Sequence, residues 1–313
     1  MKRVLFTAQV VLMGLFILSV VTLLFQFTGN SNPLARFDNA KPTYNNTEKY
    51  DSTLLRLTNL EKLEQYCDSL YVANGYASNQ ENFEENYTLL VSSVVSRRFY
   101  HGYSYYGFKN NYLAFLFSKA TNPGYSAVVI PNDILKFPFA ACSQQSIVMM
   151  ELLRAKGLKT RKISFLGKVA GGHFCFEVFY NNSWHFFDPN MEPDVAVLNA
   201  YNRPGIAFLA SHTDVLLDAY RHHAKETILD IFPSYSYGEV DKFPAPTAIV
   251  FHKITKALSY TIWIFLFGTF LLVRRIYKRL ISKQYVRNSR IYFPQPEQGP
   301  SSSYYPGLTA PGA

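Results

Sequence analysis

Two uncharged apolar runs bracket the chain, and between them the spacing of apolar positions changes from helical to alternating. The first run extends from Val4 to Phe27 and the second from Ala257 to Val273. The first is long enough to span a bilayer, and the second is near the short limit. Inside them, Leu54, Leu57, Leu60, Leu63, Tyr66 and Leu70 recur at three- and four-residue intervals. That spacing predicts an amphipathic helix to about Tyr71. Phe83, Tyr87, Leu90, Val91, Val94 and Val95 predict a second helix over 82–98, and Asn111 to Lys119 a third, short one. The aromatic stretch from Phe99 to Phe108 reads as packing first and as a stacking platform for sugar or peptide second.

Pro138 blocks any earlier helix from running through. Ile147, Val148, Leu152 and Leu153 then return at helical spacing, and Gly157 follows as a stop. A helix is therefore expected to begin near Cys142. Beyond it the pattern alternates, predicting strands over Thr160–Leu166, His173–Tyr180 and Trp184–Asp188. Asn181-Asn182 suits a two-residue hairpin turn, because Asn tolerates positive φ. If Tyr180 pairs with Ser183, Cys175 lies opposite Asp188 and His173 opposite Asn190. His173, Cys175 and Asp188 then share a face, while His185 points the other way. Val195–Tyr201 reads as helix or loop. Asp214–Ala224 reads as a helix with Val215, Leu216 and Tyr220 inward. Gly29–Thr53, rich in Asn, Pro and Thr, reads as a linker, and Phe232–Pro246 as a connector into the second span. The tail from Phe293 reads as disordered. The fold class expected is α+β with an antiparallel sheet.

Charge sharpens the layout. Of 313 residues with a net charge of +9, most of the surplus lies in Lys2, Arg3 and the segment after Arg274. The middle of the chain is close to neutral, so a nucleic-acid surface is not expected. Basic residues at both ends place both termini in the cytoplasm and the central domain outside it, periplasmic or extracellular, with the chain in the inner or plasma membrane. The expected organisation is an uncleaved anchor over 1–28 and a linker over 29–52. A central domain follows over 53–246, then a second span over 257–273 and a basic juxtamembrane tail over 274–313.

The chemistry-bearing residues are Cys142, His173 and Asp188, each at the edge of a predicted element. A thiol nucleophile needs a base to take its proton and a carboxylate to fix that base's tautomer. A thiol opening a helix also feels the positive end of the macrodipole, which favours the thiolate. The alternative for a lone cysteine is a small buried hydrophobe. Cys175 is a rival nucleophile without that activation, and Cys67 and Cys175 are a conceivable disulfide pair. His212, His222 and His223 fit no compact metal site. No metal and no cofactor are expected.

A cysteine opening a helix that ends in Leu152-Leu153-Arg154-Ala155-Lys156-Gly157, a strand with Arg161 near its start, a Gly172-His173 strand and a Trp184-x-x-x-Asp188-Pro189 strand together resemble the transglutaminase-like superfamily, in a bacterial-style membrane-anchored form. The resemblance covers roughly 111–193. It implies a papain-type core with Cys142 as nucleophile, His173 as base and Asp188 as its orienting partner. Ala141 stands where that family often has Gly. Asn111, Tyr112 and Tyr125 are the candidates for completing an oxyanion hole. The expected activity is thiol-dependent acyl transfer, as peptidase, amidase or transglutaminase, on a protein, peptide or glycan-linked substrate. The expected site is an open cleft. The alternative is a non-catalytic peptide- or glycan-binding module of a cell-envelope or polysaccharide assembly system.

Overall fold

The hairpin at Asn181 and Asn182 sets the sheet. Both residues take positive φ, 46° and 59°, the left-handed pair that matches a hairpin's twist. Tyr180 pairs with Ser183, as the turn length requires. The computed structural model describes residues 2–27, 38–46, 48–76 and 82–292, and the chain is a mixed α+β protein with an antiparallel sheet. It divides into two compact units, Thr22–Tyr260 and a second made of Met1–Val21 with Thr261–Ala313.

In the larger unit a short parallel pair, β1 (Tyr100–His101) and β2 (Phe139–Ala140), precedes the main sheet. That sheet contains β3 (Lys159–Leu166), β4 (Gly172–Tyr180), β5 (Ser183–Phe187) and β6 (Tyr235–Val240), in the order β5-β4-β3-β6. Each neighbouring pair is antiparallel. Strand alternation splits its side chains between two cores. Phe176, Val178 and Tyr180 face the helices Leu60–Ala73, Phe83–Arg98 and Cys142–Ala155, through Leu63, Val91, Val94, Ile147 and Met150. Ile163, Phe165, Cys175 and Phe186 face the other way, against Leu198, Ile206, Leu209, Leu216, Tyr220 and Phe232. These belong to, or directly follow, the short helices Val195–Ala200, Ile206–Ser211, Thr213–Ala219 and Lys225–Ile231. The inner strand β4 is buried along most of its length between these two layers, whereas the edge strand β6 is largely exposed.

Several expectations are corrected. The segment 232–246 is not only a connector, because it supplies β6 on the edge of the sheet beside β3. The helix expected from Leu54 begins as a short 3-10 turn, Ser52–Arg56, and restarts at Leu60. There the Asn59 side chain accepts from the Lys62 amide and supplies the N-cap. The third helix runs Phe108–Ala120 and is broken at Asn111 (φ −164°, ψ 77°). The described part of the expected linker is packed: Tyr44 and Tyr50 both contact Tyr100, and Asp38 accepts from the Phe108 amide. The rest of the linker between 28 and 37, and the tail beyond Tyr292, lie outside the described residues.

The second apolar run belongs to a 47-residue helix, Pro246–Tyr292. Two helices, Lys2–Phe27 and Pro246–Lys283, are long and apolar enough to cross a membrane. Only 17% and 11% of their most apolar windows are buried, so neither has the packing of a core helix in a water-soluble protein.

Arg98 is the largest fully buried side chain. Its guanidinium donates to the carbonyls of Leu135 (2.6 Å), Phe137 (3.1 Å) and Leu57 (3.4 Å). Burial lowers its pKa to about 10, which keeps it charged at neutral pH. It ties the end of one helix to the segment leading into Cys142. Arg98→Met should destabilise the domain by about 3 kcal/mol, since three buried carbonyls lose a charged donor. Denaturant unfolding of the detergent-solubilised protein checks this, and a shift within error of zero would refute it.

Candidate active site

Cys142 is the first residue of the helix Cys142–Ala155, and the backbone there is held by a side chain of the helix's own first turn. The buried Gln144 side chain does the holding. Its Oε1 accepts from the amides of Ala141 (3.1 Å) and Ser104 (3.0 Å), and its Nε2 donates to the carbonyls of Ser104 and Val128, both at 2.8 Å. One amide side chain thus fixes the helix start and the loop carrying Tyr103. Burial, and next Cys142, push the phenol of the half-exposed Tyr103 up. Tyr103 stacks on Tyr105 at 5.7 Å.

His173 is the second residue of β4, and the hairpin register continued past Phe176–Phe187 brings Asp188 across from Cys175. His173 Nε2 lies 2.7 Å from Asp188 Oδ2. Cys142 also contributes to raising the pKa of that ring. The structure therefore brings His173 and Asp188 into contact, and the thiol it places against the same ring nitrogen is that of Cys175. Asp188 is held by more than His173. The Asn190 and Met191 amides donate to its Oδ1, both at 3.1 Å, and Tyr220 Oη donates to Oδ2 at 3.0 Å. Burial works to protonate this carboxyl, but His173 and these donors outweigh it and hold the pKa below the ordinary 3.8. Burial likewise opposes a charged His173, but Cys175 and Asp188 beside it outweigh that and hold its pKa well above 6.5. Cys175, pushed up by burial and then by Asp188, remains a neutral thiol. Asp188 is therefore the charge that sustains an imidazolium.

Cys175 lies on the face that strand alternation gave it, beside His173. Its Sγ lies 3.0 Å from His173 Nε2. Tyr220 was legible as an inward helix residue, but not as a donor to Asp188. All three cysteines are free, and Cys67 and Cys175 belong to different cores, which corrects the pairing considered above. The oxyanion candidates are engaged elsewhere. Asn111 Nδ2 donates to Thr255 Oγ1 and its Oδ1 accepts from Ser259 Oγ and the Ala114 amide. Tyr125 packs on Phe117 and Phe251, and Tyr112 is buried in the helix broken at Asn111. His212 stacks on Phe208 and His223 bonds the Met191 carbonyl.

The expected open cleft is also corrected. Cys142 is 6% exposed and His173 8%, so the thiol–imidazole pair is nearly closed over. Neither a protein-family model, nor a curated protein, nor a solved structure matches this chain.

Proposed function

We propose that this chain is a membrane-anchored, thiol-dependent acyl-transfer enzyme with Cys142 as nucleophile, His173 as base and then acid, and Asp188 as the group that orients and charges the imidazole. The observations that support this reading are the buried 2.7 Å contact between His173 and Asp188 and the placement of the buried Cys142 at a helix N-terminus. Nε2 is engaged by Asp188 and Cys175, which leaves Nδ1 as the ring atom for Cys142. The resemblance to transglutaminase-like proteins and their papain-type core rests on these residues and on the surrounding sequence pattern.

The chemistry follows from the arrangement. His173 takes the Cys142 proton and the sulfur attacks a carboxamide or peptide carbonyl. The carbonyl pair moves onto oxygen, then returns as the amine leaves with the proton from His173. The acyl group ends on sulfur and passes to water or to a second amine, with His173 again moving the proton. The first-turn amides of a helix have no carbonyl partner within it. The Cys142 N–H is thus the donor we assign to the developing oxyanion. With both termini cytoplasmic, the acyl transfer would take place on the opposite side of the membrane.

Closure of the site favours a second reading, a module that binds peptide or glycan without turnover. Intact-mass analysis separates the two. The full-length protein in detergent is incubated with an electrophilic acyl or alkyl probe and digested. The adduct is expected on Cys142, with Cys175 left unlabelled because it is fully buried and held as a thiol. Labelling spread over all three cysteines, or absent from Cys142, would remove the catalytic reading.

A further inference from the structure

The buried cluster around His173 has more donor atoms than a proton relay uses. His173, Cys175 and Asp188 are all buried, and their ligand atoms lie within 4.8 Å of one another. A Cys-His-Asp relay that uses Cys142 has no task for a second thiol against Nε2. We propose that His173 Nε2, Cys175 Sγ and Asp188 Oδ2 form a binding site for a zinc-like divalent metal ion, and that the bound ion switches the thiol site off.

The donor set of one thiolate, one imidazole and one carboxylate is the mixture that zinc accepts. Zinc bonds of about 2.3 Å to sulfur and about 2.1 Å to nitrogen and oxygen, at tetrahedral angles, put nitrogen about 3.4 Å from oxygen and about 3.6 Å from sulfur. The separations here are 2.7 Å and 3.0 Å. Widening each by roughly 0.6 Å, a side-chain adjustment, admits the ion where a proton now sits. The outer supports are in place. Two backbone amides hold the other oxygen of Asp188, and Tyr220 donates to the liganding one. Binding releases the Cys175 proton and the Nε2 proton to solvent, so no other reactant is needed.

The inhibitory consequence rests on the catalytic reading above; the metal site does not. With the ion on Nε2, the remaining ring proton stays on Nδ1. The imidazole then cannot accept the Cys142 proton, and the Asp188 charge is spent on the metal.

Co2+ serves as an optical probe, because a thiolate ligand gives it a charge-transfer band. The Cys67→Ala/Cys142→Ala double variant of the full-length protein, in detergent, keeps Cys175 as its single thiol. It should show that band and bind one Co2+ per chain, with Zn2+ displacing it. Its unfolding temperature should rise with added Zn2+, and His173→Gln added to it should remove all three responses. No band in the folded double variant would overturn the proposal. In the wild type, Zn2+ should slow Cys142 alkylation by about tenfold or more, restored by a chelator, if His173 activates that thiol. A band in the double variant together with an inert Cys142 would keep the metal site and count against the catalytic reading alone.

Discussion

Cys142→Ala should abolish covalent turnover while leaving the domain folded. The side chain is small and begins a helix whose start is fixed by Gln144 rather than by the thiol. Losing one sulfur from this nearly closed position removes little packing, about 1 kcal/mol. The chemical loss is far larger, because no neighbouring group can take over. Cys175 is fully buried and stays protonated. The expected result is an acyl or alkyl adduct in the wild type and none in Cys142→Ala, with unchanged circular dichroism. Persistence of the adduct in the variant would show that another residue is the nucleophile.

The second large effect belongs to Asp188. Asp188→Asn keeps the shape, but takes away the charge that sustains the imidazolium and offers an amide where His173 needs an acceptor. Reaction at Cys142 should fall by about 10²–10⁴-fold, the range for loss of acid–base function. Stability should fall as well, in a pH-dependent way. The His173 pKa is raised above 6.5, so its contribution is fully present below that value and fades as pH rises through the raised one. The Asp188 pKa lies below 3.8, so its contribution is present above that value and fades as pH falls through the lowered one. The pair therefore stabilises most between about pH 4 and 6.5. In that window the variant should lose about 3 kcal/mol, and less above neutral pH as His173 gives up its proton. Thermal unfolding across pH 5–9 measures this. A penalty that grew toward alkaline pH would contradict the assigned direction for His173.

How much of this was legible before the fold was seen depended on whether a signal was local. The hairpin register was readable because two Asn residues leave the turn one length, and period-two alternation then places His173, Cys175 and Asp188 on one face. The start of the cysteine helix was readable from Pro138 and Gly157. The edge strand β6 was not, because Tyr235–Val240 is exposed along most of its length and lacks a buried apolar face to mark it. The break at Asn59 carried a cap signal that unbroken leucine spacing concealed. Closure of the site depends on Gln144 binding a loop forty residues away, and the hydroxyl of Tyr220 reaches Asp188 across thirty-two. Such long-range contacts leave no periodicity in the chain.

The central claim is that His173 and Asp188 activate Cys142, and the alkylation rate of Cys142 as a function of pH tests it most directly. Wild type, His173→Gln and Asp188→Asn are compared as full-length proteins in detergent with a small alkylating agent. The account predicts reaction at neutral pH in the wild type that is at least about 10²-fold faster than in Asp188→Asn and faster still than in His173→Gln. Identical profiles in all three proteins would contradict it, leaving Cys142 an ordinary thiol at the start of a helix.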